Sequence, residues 1–242
     1  MDPASYARMA AHEDRHWWFV GRRRVLARFI AARVSPPAGC RILEAGCGSG
    51  GNLALLAHFG RVSAFEPEAT ARQRAAAKGV AEIAGGALPD RVPFPGSSFD
   101  LAAMLDVLEH VDDDGGALRA VAATLAPGGR LLLTVPAYAF LWSRHDRMHH
   151  HRRRYTRASL ERVARAAGLE PLYLGYFNTL LFPLVAAVRL LGKLTGHEGD
   201  DDALPPAWAN SLLGAVFAAE RHLIPRWQLP FGVSLLLLAR KA

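Results

Sequence analysis

An α/β fold with a doubly wound, mostly parallel seven-stranded sheet is predicted by three features of this 242-residue chain. Short apolar runs alternate with helical segments, a glycine-rich turn directly follows the first of those runs, and one apolar run closes the chain after a long insertion. Alternation of this kind builds parallel βαβ units. The length suits one full-sized core with additions.

The elements follow in order. Apolar residues at helical spacing (Phe19, Val25, Leu26, Phe29, Ile30, Val34) predict a leading helix over Trp17 to Val34, stopped by Ser35-Pro36-Pro37. Strand signals at Ile42-Leu43, Val62 to Phe65, Ala81 to Ala84 and Phe99 to Leu105 are interleaved with helical segments at Leu53 to Phe59 and Ala69 to Lys78. A helix from Asp114 to Leu125 and the turn Ala126-Pro127-Gly128-Gly129 lead into a strand from Gly129 to Val135. A basic, histidine-rich loop then runs to Tyr155, followed by a helix from Arg157 to Ala167, a strand from Leu169 to Tyr176 and the closing strand Val233 to Ala239.

The segment 178–230 far exceeds the usual connection of about 4–6 residues. It holds an apolar stretch, Leu180 to Leu194, an acidic link from His197 to Asp202, and a second stretch from Trp208 to Ile224. Asn178, Pro183 and Arg189 interrupt the apolar residues, whereas a membrane span wants about 20 nearly continuous ones. The expected organisation is a helical cap over 1–35, a core over 36–177, a helical insertion over 178–230 and a final core strand over 231–242. The insertion reads first as a lid over a pocket, and second as an in-plane membrane contact aided by Arg189, Lys193, Arg221, Trp208 and Trp227.

Twenty-nine lysines and arginines against 22 acidic residues give a net charge of +7, which favours an anionic substrate, a membrane surface or nucleic acid. Two cysteines, Cys40 and Cys47, flanking a strand and its turn do not form a disulfide framework, so a reducing cytoplasm is expected. The opening Met1-Asp2-Pro3, with Glu13 and Asp14 soon after, is unlike a signal peptide. A peripheral position on the inner face of the membrane is the second reading of location.

The strongest chemical signal is Ile42-Leu43-Glu44-Ala45-Gly46-Cys47-Gly48-Ser49-Gly50-Gly51, a strand running into a glycine turn. Glycine lets the backbone approach a ligand, and the helix start that follows offers free N–H groups. Read as Gly46-x-Gly48-x-x-Gly51, the turn also satisfies the dinucleotide fingerprint, so on its own it leaves a nicotinamide oxidoreductase open. Glu66 ends the next strand about 20 residues on, where a carboxylate accepts from ribose hydroxyls in either cofactor class.

Asp106, Glu109 and His110 mark the exit of the strand Phe99 to Leu105, and Leu125-Ala126-Pro127-Gly128-Gly129-Arg130 follows. With the glycine turn and Glu66, this order and spacing resembles the Rossmann-like class I S-adenosylmethionine-dependent methyltransferases. The N-terminal Glu13, His16, Trp17, Trp18, Phe19, Gly21, Arg22, Arg23 and the loop Leu141 to Tyr155 resemble a bacterial subgroup of that class. The resemblance implies S-adenosyl-L-methionine as cofactor, with Glu44, Gly46, Gly48 and Gly50 along its methionine end. It further implies Glu66 at the ribose, Leu88 at the adenine, Asp106 near the methionyl amino group, and Val233 to Ala239 as an antiparallel last strand.

Methyl transfer is an in-line displacement that needs the acceptor held about 3–3.5 Å from the methyl group, and a hydroxyl acceptor gains from a general base. His110, His145, His149 and Tyr155 are the catalytic candidates, lying beyond the strand exits where open α/β sheets bind ligands. The run His149-His150-His151-Arg152-Arg153-Arg154 is read as an anion clamp or a solvated basic loop. It is given no metal, because adjacent histidines diverge and no spaced carboxylate completes a set. The acceptor is therefore expected to be a small-molecule or lipid-linked, anionic compound. Nucleic acid ranks lower, since the strand exit lacks the Asn/Asp-Pro-Pro-aromatic sequence of enzymes that methylate a flipped base. A non-catalytic, membrane-associated cofactor-binding protein is the remaining alternative.

Overall fold

The computed structural model describes residues 10–96, 98–196, 199 and 203–241. Met1 to Pro3 lie outside these residues, as does all of the acidic link 197–202 except Gly199. Seven strands form one sheet in the order β3-β2-β1-β4-β5-β7-β6. They are β1 (Arg41–Ala45), β2 (Arg61–Glu66), β3 (Glu82–Gly85), β4 (Phe99–Leu105), β5 (Leu125–Pro136), β6 (Leu169–Phe177) and β7 (Ser234–Lys241). Strands β1 to β5 pair in parallel, while β7 lies antiparallel between β5 and β6. The doubly wound, mostly parallel sheet with a reversed last strand is thus the observed architecture.

Period-two side-chain alternation divides the core into two layers. Leu43, Ala102, Leu131, Leu133, Leu235 and Leu237 face one layer; Ile42, Leu101, Leu132, Leu236 and Leu238 face the other. Helices α4 (Asp114–Thr124) and α6 (Arg157–Ala166) cover the first layer through Leu118, Val121, Leu160 and Ala164. The second is covered by α1 (Trp17–Phe29), α2 (Leu53–Ala57) and α3 (Ala69–Ala77), with Val25, Leu26, Phe29, Leu53, Leu56 and Ala75 inward. Because the chain winds from β1 outward to β3 and then from β4 the other way, a crevice opens beyond the carboxyl ends of β1 and β4.

One boundary departs from the sequence reading. Strand β5 begins at Leu125, which pairs with Phe99, and the Pro127-Gly128 segment is a bulge inside the strand instead of a turn before it. Gly128 has φ 74°, and a Cβ at Gly129 would lie 2.9 Å from the carbonyl oxygens of Ala126 and Phe99, so the bulge closes only with glycines.

The insertion leaves β6 at Asn178, where the buried Glu220 carboxylate accepts from the backbone N–H groups of Asn178 and Leu180, both at 2.7 Å. Its two helices are α7 (Phe182–Thr195), closed by the left-handed Gly196, and α8 (Ala207–Ala219). Between β5 and α6 lies a short helix, α5 (Arg144–Met148). Helix α8 packs on α1: Phe217 is fully buried and a Cβ at Gly21 would meet its ring at 2.5 Å. The Trp17 N–H donates to Asn210 Oδ1 at 2.8 Å. Helix α7 is different, with Leu184 54%, Val188 52%, Leu191 59% and Leu194 83% exposed. No helix among the described residues is long and apolar enough to cross a membrane.

Candidate active site

Two adjoining cavities fill the crevice. The smaller, about 300 Å³, lies over the glycine turn and is lined by Gly46, Gly48, Glu66, Leu88 and Asp106, with Glu13, Arg22 and Arg23 from the N-terminal segment. The turn is fastened to β2: Gly46 and Cys47 donate to the Phe65 carbonyl at 2.9 and 3.1 Å, and Gly48 donates to Glu66 Oε2 at 2.9 Å. Gly46 has φ 76°, and a Cβ there would sit 2.8 Å from Val107 Cγ1, so the backbone approaches the β4 exit more closely than a side chain allows. The second Glu66 oxygen accepts from the Glu68 N–H at 3.1 Å.

The α1 helix closes this cavity with a charged chain. Arg22 pairs with Asp106, donates to Asn52 Oδ1 at 3.2 Å and stacks over the Trp18 ring at 4.5 Å. Asn52 in turn donates to Glu44 Oε1 at 3.0 Å. Asp106 has φ 59°, a conformation rare outside glycine, and an outlier of this kind at a strand exit fits a residue held for a task. The lining therefore offers both signs of charge at one end, a carboxylate at the strand end and an apolar wall. That set fits a zwitterionic methionyl group, a ribose and a purine.

The larger cavity, about 460 Å³, shares Phe19, Arg22, Leu105, Asp106 and His110 with the first. One wall is aromatic and aliphatic (Trp17, Trp18, Leu181, Leu184, Val185, Val188), and its floor carries Glu109, His110, His145, His149 and His151. The His145 and His149 rings stand 4.2 Å apart and the His110 and His151 rings 4.7 Å apart. Burial, reinforced by the neighbouring His151 and His149, pushes the His110 imidazole down to about 3. Burial together with the charge of Asp106 holds the Glu109 carboxyl well above the usual carboxylate range.

The structure sorts the residues singled out from sequence. Gly46, Gly48, Glu66, Leu88 and Asp106 line the small cavity; His110 lines both; His145 and His149 line the large one. Glu44 and Gly50 lie behind the turn and do not line it. Glu44 is 1% exposed with one oxygen held by Asn52, and a Cβ at Gly50 would press on Leu53 and Ala75, so that glycine serves helix packing. Tyr155 is also misplaced by the sequence reading: its hydroxyl donates to Asp114 Oδ2 at 2.9 Å beneath α4, away from either cavity.

The arginine run is not an open clamp, because local carboxylates take each member. Arg152 pairs with Asp112 at 3.1 Å, Arg153 with Asp114 at 2.9 Å, and Arg154 forks onto Asp146 at 2.7 and 2.9 Å. The carboxylate that linear spacing did not supply beside the histidines arrives from the β4 exit as Glu109. Arg22 and Glu109, which the sequence marked only as members of motifs, and Asn52, which it did not mark, are site residues to which the sequence reading gave no role.

Comparison with known proteins agrees with this geometry. The family described as "Methyltransferase domain" matches residues 18–174. The ubiquinone biosynthesis O-methyltransferase of Xanthomonas axonopodis pv. citri is 34% identical over 116 residues, which cover 46% of this chain and 48% of that protein. The enzyme of the same description from Ralstonia nicotianae is 30% identical over 163 residues, 58% of this chain and 67% of that protein. The chain thus spans about half the length of the first of these relatives. A TehB-like SAM-dependent methyltransferase from Corynebacterium glutamicum shares the fold with TM-score 0.57 at 19% identity, covering 90% of this chain and 88% of that one. A second, from Mesorhizobium loti, has TM-score 0.57 at 19% identity over 88% of this chain and 97% of that one. With the family match covering most of the β1 to β6 core, the chain belongs to the methyltransferase-domain family.

Proposed function

We propose that this chain is an S-adenosyl-L-methionine-dependent methyltransferase that transfers the methyl group to a hydroxyl oxygen on a small molecule with an apolar body. The observation that carries the reading is the larger cavity, apolar along α7 and α8, continuous with the cofactor cavity and floored by imidazoles. The O-methyltransferase names of the relatives point to oxygen as the acceptor atom. The exposed Leu184 and Val188 line the cavity on the α7 side, so an acceptor with an alkyl tail would extend along this helix. An anionic acceptor loses the support of the basic run, since Asp112, Asp114 and Asp146 pair with its arginines.

When bound, S-adenosyl-L-methionine supplies an electrophilic sulfonium methyl group. Arg22, Arg23 and Glu13 would hold the zwitterionic end, Glu66 the ribose hydroxyls and Leu88 the base. Trp18, Phe19 and Leu105 exclude water from the junction of the cavities, which strengthens each polar contact there. His149, 2% exposed on the cavity floor, takes the acceptor hydroxyl proton as its oxygen forms the new bond to carbon. The bound cofactor would supply the methyl carbon and keep the electron pair of the carbon–sulfur bond on sulfur.

Two measurements check these assignments. Glu66→Ala should weaken S-adenosylhomocysteine binding about tenfold in calorimetric titration, the scale of one lost charge-assisted contact; an unchanged affinity would remove Glu66 from the ribose. With labelled S-adenosylmethionine, transfer to 4-nonylphenol should exceed transfer to phenol, and His149→Gln should lower kcat on the order of a hundredfold while cofactor affinity holds. Equal transfer to both phenols sinks the apolar-body reading, and an unaltered kcat sinks the base.

A further inference from the structure

We propose that Glu109, His110 and His151 form a binding site for a divalent first-row transition metal on the floor of the acceptor cavity. One ligand atom from each of the three lies within 4.8 Å of the other two. Glu109 is 1% exposed, and among the described residues no group other than its own backbone N–H offers its carboxylate a hydrogen bond. A buried carboxylate with so few donors costs several kcal/mol when ionised, so it asks for a cation or a retained proton.

The surroundings are built as a metal site's outer layer is built. His151 Nδ1 faces Asp146 Oδ1 at 2.8 Å, which leaves Nε2 for a ligand, and carboxylate–histidine pairs of this kind fix tautomer and ring direction around metals. Asp146 is itself fixed by the Arg154 fork and by the Ser143 N–H at 2.7 Å. The His110 ring hydrogen-bonds the backbone of His149, which commits one ring nitrogen and frees the other. Across the site, the Arg152 N–H donates to the Glu109 carbonyl at 2.7 Å, clamping the histidine loop to the β4 exit. Holding the ligands in place before the ion arrives is what separates such a site from a chance cluster.

Two imidazoles and one carboxylate suit zinc, cobalt, manganese or iron better than the all-oxygen ions. Three protein ligands leave a coordination position open, as catalytic sites do. All three residues line the acceptor cavity, so that position faces an entering oxygen. The ion would bind the acceptor hydroxyl, lower its pKa and aim its lone pair, with the proton passing to His149. This last role rests on the hydroxyl-acceptor reading; the metal site does not.

The test titrates tag-free, EDTA-treated protein with Co²⁺, without cofactor or acceptor, and follows calorimetry and visible absorption together. The expected result is one equivalent bound, with a d–d band that Zn²⁺ abolishes and an X-ray absorption spectrum of the Co²⁺-loaded protein containing two imidazoles. Glu109→Gln and His151→Ala should each weaken binding on the order of a hundredfold, with S-adenosylhomocysteine binding retained as the sign of a folded protein. His150→Ala, at an exposed neighbour, should leave Co²⁺ binding intact. No binding by the wild-type chain overturns the proposal. So does binding that survives both ligand substitutions, or binding lost with His150. If Co²⁺ binds as described while no phenol is methylated, the site stands and the hydroxyl-acceptor reading falls.

Discussion

Arg22→Met should lower stability by about 3 kcal/mol and weaken S-adenosylhomocysteine binding at least tenfold in the same protein. The guanidinium is almost wholly buried, contacts three groups (Asp106, Asn52 and the Trp18 ring) and lines both cavities. Removing one partner of a buried pair leaves the other uncompensated, at a cost of roughly 3–5 kcal/mol. The Asp106 side chain keeps 19% exposure, so the lower end of that range applies. Methionine fills the volume, which separates lost charge from lost packing. The affinity loss has a different origin: Arg22 is a cation facing the proposed methionyl carboxylate, and it also fixes Asp106 at its positive φ. Arg22→Lys should recover part of the stability and less of the affinity, because a point charge replaces the fork without reproducing it. Urea denaturation and calorimetry on the three proteins decide the matter. A variant as stable as the parent would show that the pair contributes nothing net, and an unaltered affinity would remove Arg22 from the cofactor.

What the linear sequence reveals follows from the range of the interactions involved. The strands and the glycine turn were legible because local patterns specify them: both-face burial gives continuous apolar runs, and the turn at Gly46 and Gly48 tolerates little else. Glu66 was legible for the same reason, since strand length fixes where β2 ends. Glu44 and Gly50 belong to that stretch too, yet spacing cannot tell a residue facing a cavity from one facing the helix behind it. In a turn this tight the two differ by one residue. Tyr155 and the clamp reading of Arg152 and Arg153 went astray for a longer-range reason. Their partners, Asp112 and Asp114, stand ahead of α4 and at its start, and only folding brings that end of the chain against the loop. The same long-range closure delivers Glu109 to His151, so a set absent from linear spacing exists in space. Cysteine chemistry was the simpler case: Cys40 and Cys47 are both free and buried.

Glu44 gives the second large effect, and its sign depends on pH. Burial pushes its carboxyl up to about 7, against the opposing hydrogen bond from Asn52 and the charge of Arg22. One oxygen accepts from Asn52, while the other is buried with no partner. In the unfolded chain the group ionises near its ordinary value of 4.5. The folded protein therefore holds the proton more tightly, and the contribution of Glu44 to stability is fully present below the unfolded value. As pH rises through the interval up to about 7, the unfolded chain releases the proton first and stability declines. At 1.36 kcal/mol per pKa unit the total loss is on the order of 3 kcal/mol. Glu44→Gln keeps the shape and the acceptor for Asn52 but cannot ionise. At pH 5 the two proteins should differ little, and at pH 8 the glutamine protein should be more stable by about that amount. Comparing the pair isolates Glu44, because the other carboxyls held above their ordinary range, Glu109 and Glu220, are common to both proteins and lie outside the Asn52 contact. Urea midpoints at the two pH values measure the difference. Parallel pH profiles would mean that Glu44 ionises in the folded protein as readily as in the unfolded chain, and that solvent or an unseen cation reaches the oxygen that stands without a donor.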